Sequence, residues 1–158
     1  MHKNFQKSTV GVAVITALLL LLPILLGGFF MVFAFFAGLA IYMLAAQNPR
    51  CALIAMLAAF AVAAVFCFQQ ALWFLAAFLL CGFWLGRCCL RHMRPVPTFL
   101  STLAVTLAAA MAIRSVFSCP LFGISCLSIW TYLYSAFFVC LGITLLYFLL
   151  CGWLQRKL

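Results

Sequence analysis

The residues able to do polar chemistry in this chain crowd one stretch: Arg114, Ser115, Ser118, Ser125, Ser128, Trp130, Thr131, Tyr132, Tyr134 and Ser135. A guanidinium among hydroxyls and aromatic rings can hold an anion, which makes Arg114, Ser118, Trp130 and Tyr134 the candidate ligand-binding residues. The same groups can equally form a membrane interface, with the Arg snorkelling to lipid phosphate and the aromatic rings at headgroup level. Neither use requires a carboxylate. The chain has no Asp or Glu against nine Lys and Arg, so acid–base pairs, carboxylate-bound metals, carboxylate proton relays and salt bridges to acidic side chains are all excluded.

Nine cysteines suggest redox or metal chemistry until their spacing is read. Cys51, Cys67, Cys81, Cys140 and Cys151 stand singly in apolar runs, where a thiol behaves as a small hydrophobe. Cys88, Cys89 and His92 form a cluster, but neighbouring cysteines chelate one ion poorly and a fourth ligand is missing, so no metal is expected. Cys119 and Cys126 bracket a short loop, and on an oxidising face of the membrane they could form a disulfide, subject to the Cα separation that a bridge allows. The C-x-x-C pairs of a membrane thiol oxidoreductase are absent. His2 and His92 have no Asp and no suitable Ser near them. The expectation is a non-enzyme without a cofactor.

These residues are carried by elements that only a bilayer can accommodate. Hydrophobic residues make up 71% of the chain, against roughly 45–50% in an ordinary globular domain. A hydrocarbon core about 30 Å thick needs roughly 20 apolar residues as helix. Apolar runs at about 9–26, 29–46, 52–68, 71–85, 98–113 and 127–152 predict six helices in one integral membrane domain, with the third and fourth short for a span. The breaks carry turn chemistry: Gly27-Gly28, Gln47-Asn48-Pro49-Arg50, Gln69-Gln70, Arg87 to Pro97, and Arg114 to Pro120. The last run leaves room for a surface or re-entrant turn at Pro120 to Ile124. Pro23 either kinks the first helix or ends it. Lys3 and Lys7 before an apolar run also suit a secretory signal, but the run is long and no clean cleavage site precedes Phe29, which favours a retained helix. The fold class is therefore an all-α polytopic transmembrane bundle.

With the N-terminus in the cytoplasm, six crossings place Lys3, Lys7, Arg50, Arg87, Arg91, Arg94, Arg156 and Lys157 inside and Arg114 alone outside. This split follows the positive-inside rule, and both termini are then cytoplasmic. The basic residues are spread over four inner segments, which suits anionic lipid headgroups and argues against nucleic acid. Small residues spaced by four allow close helix approach at Ala13 and Ala17, at Ala55, Ala59 and Ala63, at Gly82 and Gly86, and at Ala104, Ala108 and Ala112. All are expected to pack within the bundle, the alternative being that one stripe docks onto a partner. Phe29, Phe30, Phe33, Phe35 and Phe36, with Phe137, Phe138, Tyr147 and Phe148, are expected to meet lipid or fill gaps.

Gly11-Val12-Ala13 at the start of the first helix, Pro23 before the first outer turn, Pro49-Arg50 at the first inner turn, and Gly82 to Gly86 followed by Arg87 resemble the S components of energy-coupling-factor vitamin transporters and related bacterial membrane proteins. The similarity covers mainly Met1 to Arg94. It implies a ligand pocket near the outer surface and docking onto a coupling subunit driven by paired ATPases. This chain has no phosphate-binding loop of its own. It departs from the family in lacking acidic side chains, which leaves Asn48, Gln69 and Gln70 as the well-placed amides outside the termini. A second reading of the same residues is a non-catalytic assembly or scaffolding subunit. A channel ranks last, since no polar stripe runs the full depth. The expected location is a bacterial plasma membrane, multi-pass.

Overall fold

A computed structural model describes residues 2–27, 31–117 and 129–155. These form six helices: α1 (His2–Leu26), α2 (Met31–Gln47), α3 (Pro49–Phe66), α4 (Phe68–Leu90), α5 (Pro95–Phe117) and α6 (Ile129–Gln155). No strand occurs among the described residues. Five helices are long and apolar enough to cross a membrane, and α2 supplies a shorter apolar helix, Val32–Gln47.

The turns follow from local chemistry. Gly27 adopts φ 93°, a left-handed conformation that a Cβ would oppose, and its N–H donates to the Pro23 carbonyl at 3.1 Å. Helix α1 therefore continues past Pro23 and ends at the glycine. Asn48 alone separates α2 from α3. Its side-chain oxygen accepts from the N–H groups of Arg50 (3.1 Å) and Cys51 (3.4 Å), while Pro49 fills the first helical position, where no N–H is needed. This cap starts α3 three residues earlier than the apolar run at 52 suggests. Cys67 alone separates α3 from α4. Links this short hold α2, α3 and α4 side by side in chain order.

Helix α4 is the centre of the bundle: 61% of it is buried, against 17–28% of the other long helices. It contains a π-helical turn at Leu75–Leu79. Ala71, Phe74, Leu79 and Phe83 all join one core cluster with α1, α2 and α3, at successive steps of three, five and four. Leu75 and Phe78, within the turn, are partly buried against the same cluster. Leu72 and Ala76 meanwhile face α5 and α6, and Cys81 and Leu85 meet Tyr42 and Tyr147.

The tightest seam joins α2 to α4. A Cβ on Gly82 would collide with the Gly38 carbonyl, and one on Gly38 would meet the Tyr147 hydroxyl and the Phe78 carbonyl. At Gly86 a Cβ would come within 2.6 Å of both the Ala45 Cβ and the Tyr42 carbonyl. Since lipid is as apolar as a leucine side chain, such backbone approach is a main source of helix association in a membrane. Ala55, Ala59 and Ala63 are fully buried, and Ala13 and Ala17 pack on the same cluster.

The fourth small-residue stripe behaves differently from expectation. Ala104, Ala108 and Ala112 lie exposed on α5, whose buried face is instead Thr98, Thr102, Thr106, Ala110 and Ile113. The hydroxyls decide the rotation, because a polar atom is costlier against hydrocarbon than a methyl.

The outside of the bundle is greasy. Val10, Val14 and Leu18 on α1, Ile54 and Val65 on α3, and Phe138, Leu145 and Leu149 on α6 are all exposed. A water-soluble domain would not leave such continuous rows bare. An all-helical bundle with an apolar exterior is the build of a small, multi-pass integral membrane protein.

Candidate functional site

Arg114 occupies the last turn of α5. Its guanidinium carbon lies 3.7 Å from the centroid of the Tyr132 ring on α6. Tyr132 is 1% exposed and sits on a floor of Ala110, Ile113, Ala136 and Leu72. The Arg114 Nη1 and the Tyr132 hydroxyl are both buried, and neither has a hydrogen-bond partner among the described residues. Two helices thus bring together a permanent cation, an aromatic face and two orphaned polar atoms on an apolar floor.

Of the other sequence candidates, Tyr134 is 63% exposed and points away from this pair. Trp130 falls in the first turn of α6. Ser118, Cys119 and Cys126, and with them the expected disulfide and the turn at 120–124, lie outside the described residues. The amides serve elsewhere: Asn48 is spent as a helix cap, and Gln69 and Gln70 are exposed in the first turn of α4.

The opposite end of the bundle carries Arg50, Arg87, Arg91 and Arg94. The contacts between rods fix this division. Trp84 and Cys88 near the end of α4 meet Ser101 near the start of α5, while Arg114 at the end of α5 meets the start of α6.

At this arginine-rich end α4 closes with paired bonds, His92 N–H to the Cys89 carbonyl at 2.9 Å and Met93 N–H to the Cys88 carbonyl at 3.2 Å. This is the Schellman arrangement, and His92 takes its left-handed position at φ 50°, where glycine is usual. Beside it lies a cavity of about 510 Å³ between α2, α4, α5 and α6.

The adjacent cysteines diverge, as successive residues on a helix must. Cys88 is buried with its Sγ 3.9 Å from Ser101 Oγ, whereas Cys89 lines the cavity with His92. No group of three His, Cys, Asp or Glu suited to a metal occurs among the described residues. Arg87 stacks at 5.7 Å on Trp84, one turn away, and Trp84 Nε1 donates to Ser101 Oγ at 3.2 Å.

Three residues escaped the sequence reading. Thr98, Thr102 and Thr106 form a buried ladder on α5, each hydroxyl donating to the carbonyl one turn back, at 2.8, 2.7 and 3.0 Å. Their spacing of four was the available signal. Because each hydroxyl satisfies itself on its own helix, the ladder forms a self-contained polar face and no open wet path.

Comparison with protein-family models, with curated proteins and with solved structures finds no match to this chain.

Proposed function

We propose that this membrane protein is a non-catalytic solute-binding subunit whose ligand carries a carboxylate or phosphate, held at Arg114. The supporting observation is the Arg114–Tyr132 stack with its buried, unpartnered Nη1. An arginine cannot shed its charge. Arg114 is partly buried, and a shielded donor such as its Nη1 costs about 1–3 kcal/mol when left without an acceptor. The aromatic face returns about 0.5–2 kcal/mol and the helix C-terminus about 0.3–1 kcal/mol. Neither term gives Nη1 a hydrogen-bond acceptor, and a chain without Asp or Glu has no acidic side chain to offer one. An anion from outside the chain completes the site.

This reading agrees with what the resemblance to energy-coupling-factor S components implies: a pocket at the outer face, a bacterial plasma membrane, and partner subunits that hydrolyse ATP. The test is native mass spectrometry of the protein released from nanodiscs of zwitterionic lipid. A small anionic molecule retained by the native chain and lost from Arg114→Gln is the expected result. Equal retention by both proteins, or retention of phospholipid alone, would refute the solute-binding reading.

A second reading, a scaffolding subunit of a larger membrane complex, is favoured by a different observation. Ala104, Ala108 and Ala112 leave a shallow, small-residue face on the outside of α5, the kind of surface on which another helix can approach closely. Gentle extraction that yields a stable complex, with no small molecule bound, would select this reading over the first.

A further inference from the structure

The cavity at the arginine-rich end is within the roughly 300–1,000 Å³ of small-molecule sites. Its walls are largely apolar, with Leu85, Met93 and Phe148 among them, and His92 and Thr98 add polar atoms. The segment beside it mixes two kinds of exposed residue. Arg91 and Arg94 are charged, while Leu90, Met93 and Val96 are exposed hydrophobics at 43%, 42% and 68%. Such a mixture belongs at the depth where headgroups meet hydrocarbon.

We propose that this cavity binds an acyl chain of an anionic phospholipid, whose phosphate is held at the mouth by Arg91, Arg94 and His92. A largely apolar cavity beside an exposed segment that carries Arg91 and Arg94 matches a molecule with a hydrocarbon tail and a phosphate head. The chain offers those arginines no acidic side chain, and a negative membrane surface supplies phosphate at this depth. His92 holds the left-handed position of the turn that closes α4, and it lines the cavity next to Arg91 in the chain. None of this depends on Arg114, which lies at the other end.

The full chain, reconstituted in nanodiscs of equal phosphatidylglycerol and phosphatidylcholine and then extracted, is weighed by native mass spectrometry. The expected result is one retained phosphatidylglycerol per chain, preferred roughly tenfold over phosphatidylcholine. The double variant Arg91→Gln, Arg94→Gln loses that preference. Gly152 lines the cavity and a Cβ there meets nothing within 4 Å, so Gly152→Leu folds, as judged by an unchanged melting temperature, and loses the lipid. Phe148→Trp serves the same purpose should the leucine variant aggregate. Equal retention of the two lipids, undiminished retention by a folded cavity-filling variant, or displacement of the lipid by inorganic phosphate alone would overturn the proposal.

Discussion

The Tyr147 hydroxyl donates to the backbone carbonyl of Phe35 at 2.6 Å, joining α6 to α2 across the bundle, and the two rings lie 4.3 Å apart. Tyr147 is fully buried and reaches this carbonyl only because Gly38, almost one turn along α2, has no side chain. A glycine, an aromatic ring and a carbonyl thus act as one unit on three helices, since the Phe78 carbonyl of α4 borders the same gap.

Glycine substitutions should separate cleanly by position. Gly38→Ala, Gly82→Ala and Gly86→Ala each force the α2–α4 seam apart and should destabilise the protein by about 1–3 kcal/mol. Gly142→Ala, whose added methyl meets nothing within 4 Å, should be neutral or gain up to about 1 kcal/mol from helix propensity. Melting temperatures in one detergent would rank the four.

Removing the Tyr147 hydroxyl should cost little. Tyr147→Phe keeps the ring packing and leaves the Phe35 carbonyl inside its own helix, so a loss of about 0.6 kcal/mol, the usual worth of a hydrogen bond between membrane helices, is expected. Tyr147→Ala removes the ring and should cost about 3–5 kcal/mol. Unfolding in denaturing detergent distinguishes the two.

Arg114 should be a burden to the empty protein. Arg114→Met, which keeps the apolar contact with Tyr132 and removes the charge, should raise the melting temperature measured without added anion. Inorganic phosphate should stabilise the native chain, by about 2.7 kcal/mol at a hundredfold excess over its Kd, and leave Arg114→Met unmoved. Equal responses of the two proteins would deny Arg114 a role in binding.

His92→Gly should stabilise the turn between α4 and α5 by about 1 kcal/mol, because glycine takes φ 50° without a Cβ penalty. A melting temperature that falls would show that the His92 ring contributes more than its backbone costs.

Reporters of sidedness test the orientation. Tags at both termini, and a cysteine introduced next to Arg50, should report the cytoplasm, while a label at Ser115 should be reached from outside. Finding the two termini on opposite faces would break the six-span scheme and move Arg114 to the wrong side.

Much of the architecture was legible without coordinates. Six apolar runs, turn residues at Gly27 and at Asn48-Pro49, and the total lack of carboxylates demand a helical membrane bundle, because hydrocarbon tolerates no unpaired backbone and lengths are set by its thickness. Arg114 was visible as a lone cation near one end. What no linear pattern could reveal was rotation about each helix axis. Four alanine or glycine stripes looked alike, yet three turned inward and that of Ala104, Ala108 and Ala112 turned out, because Thr98, Thr102 and Thr106 took the buried side of the same rod. The π-turn at Leu75–Leu79, the stack of Arg114 on Tyr132 and the cavity beside His92 likewise depend on which faces meet across several helices. Length and polarity are properties of a segment taken alone. Facing is a property of its neighbours, and only the packed structure decides it.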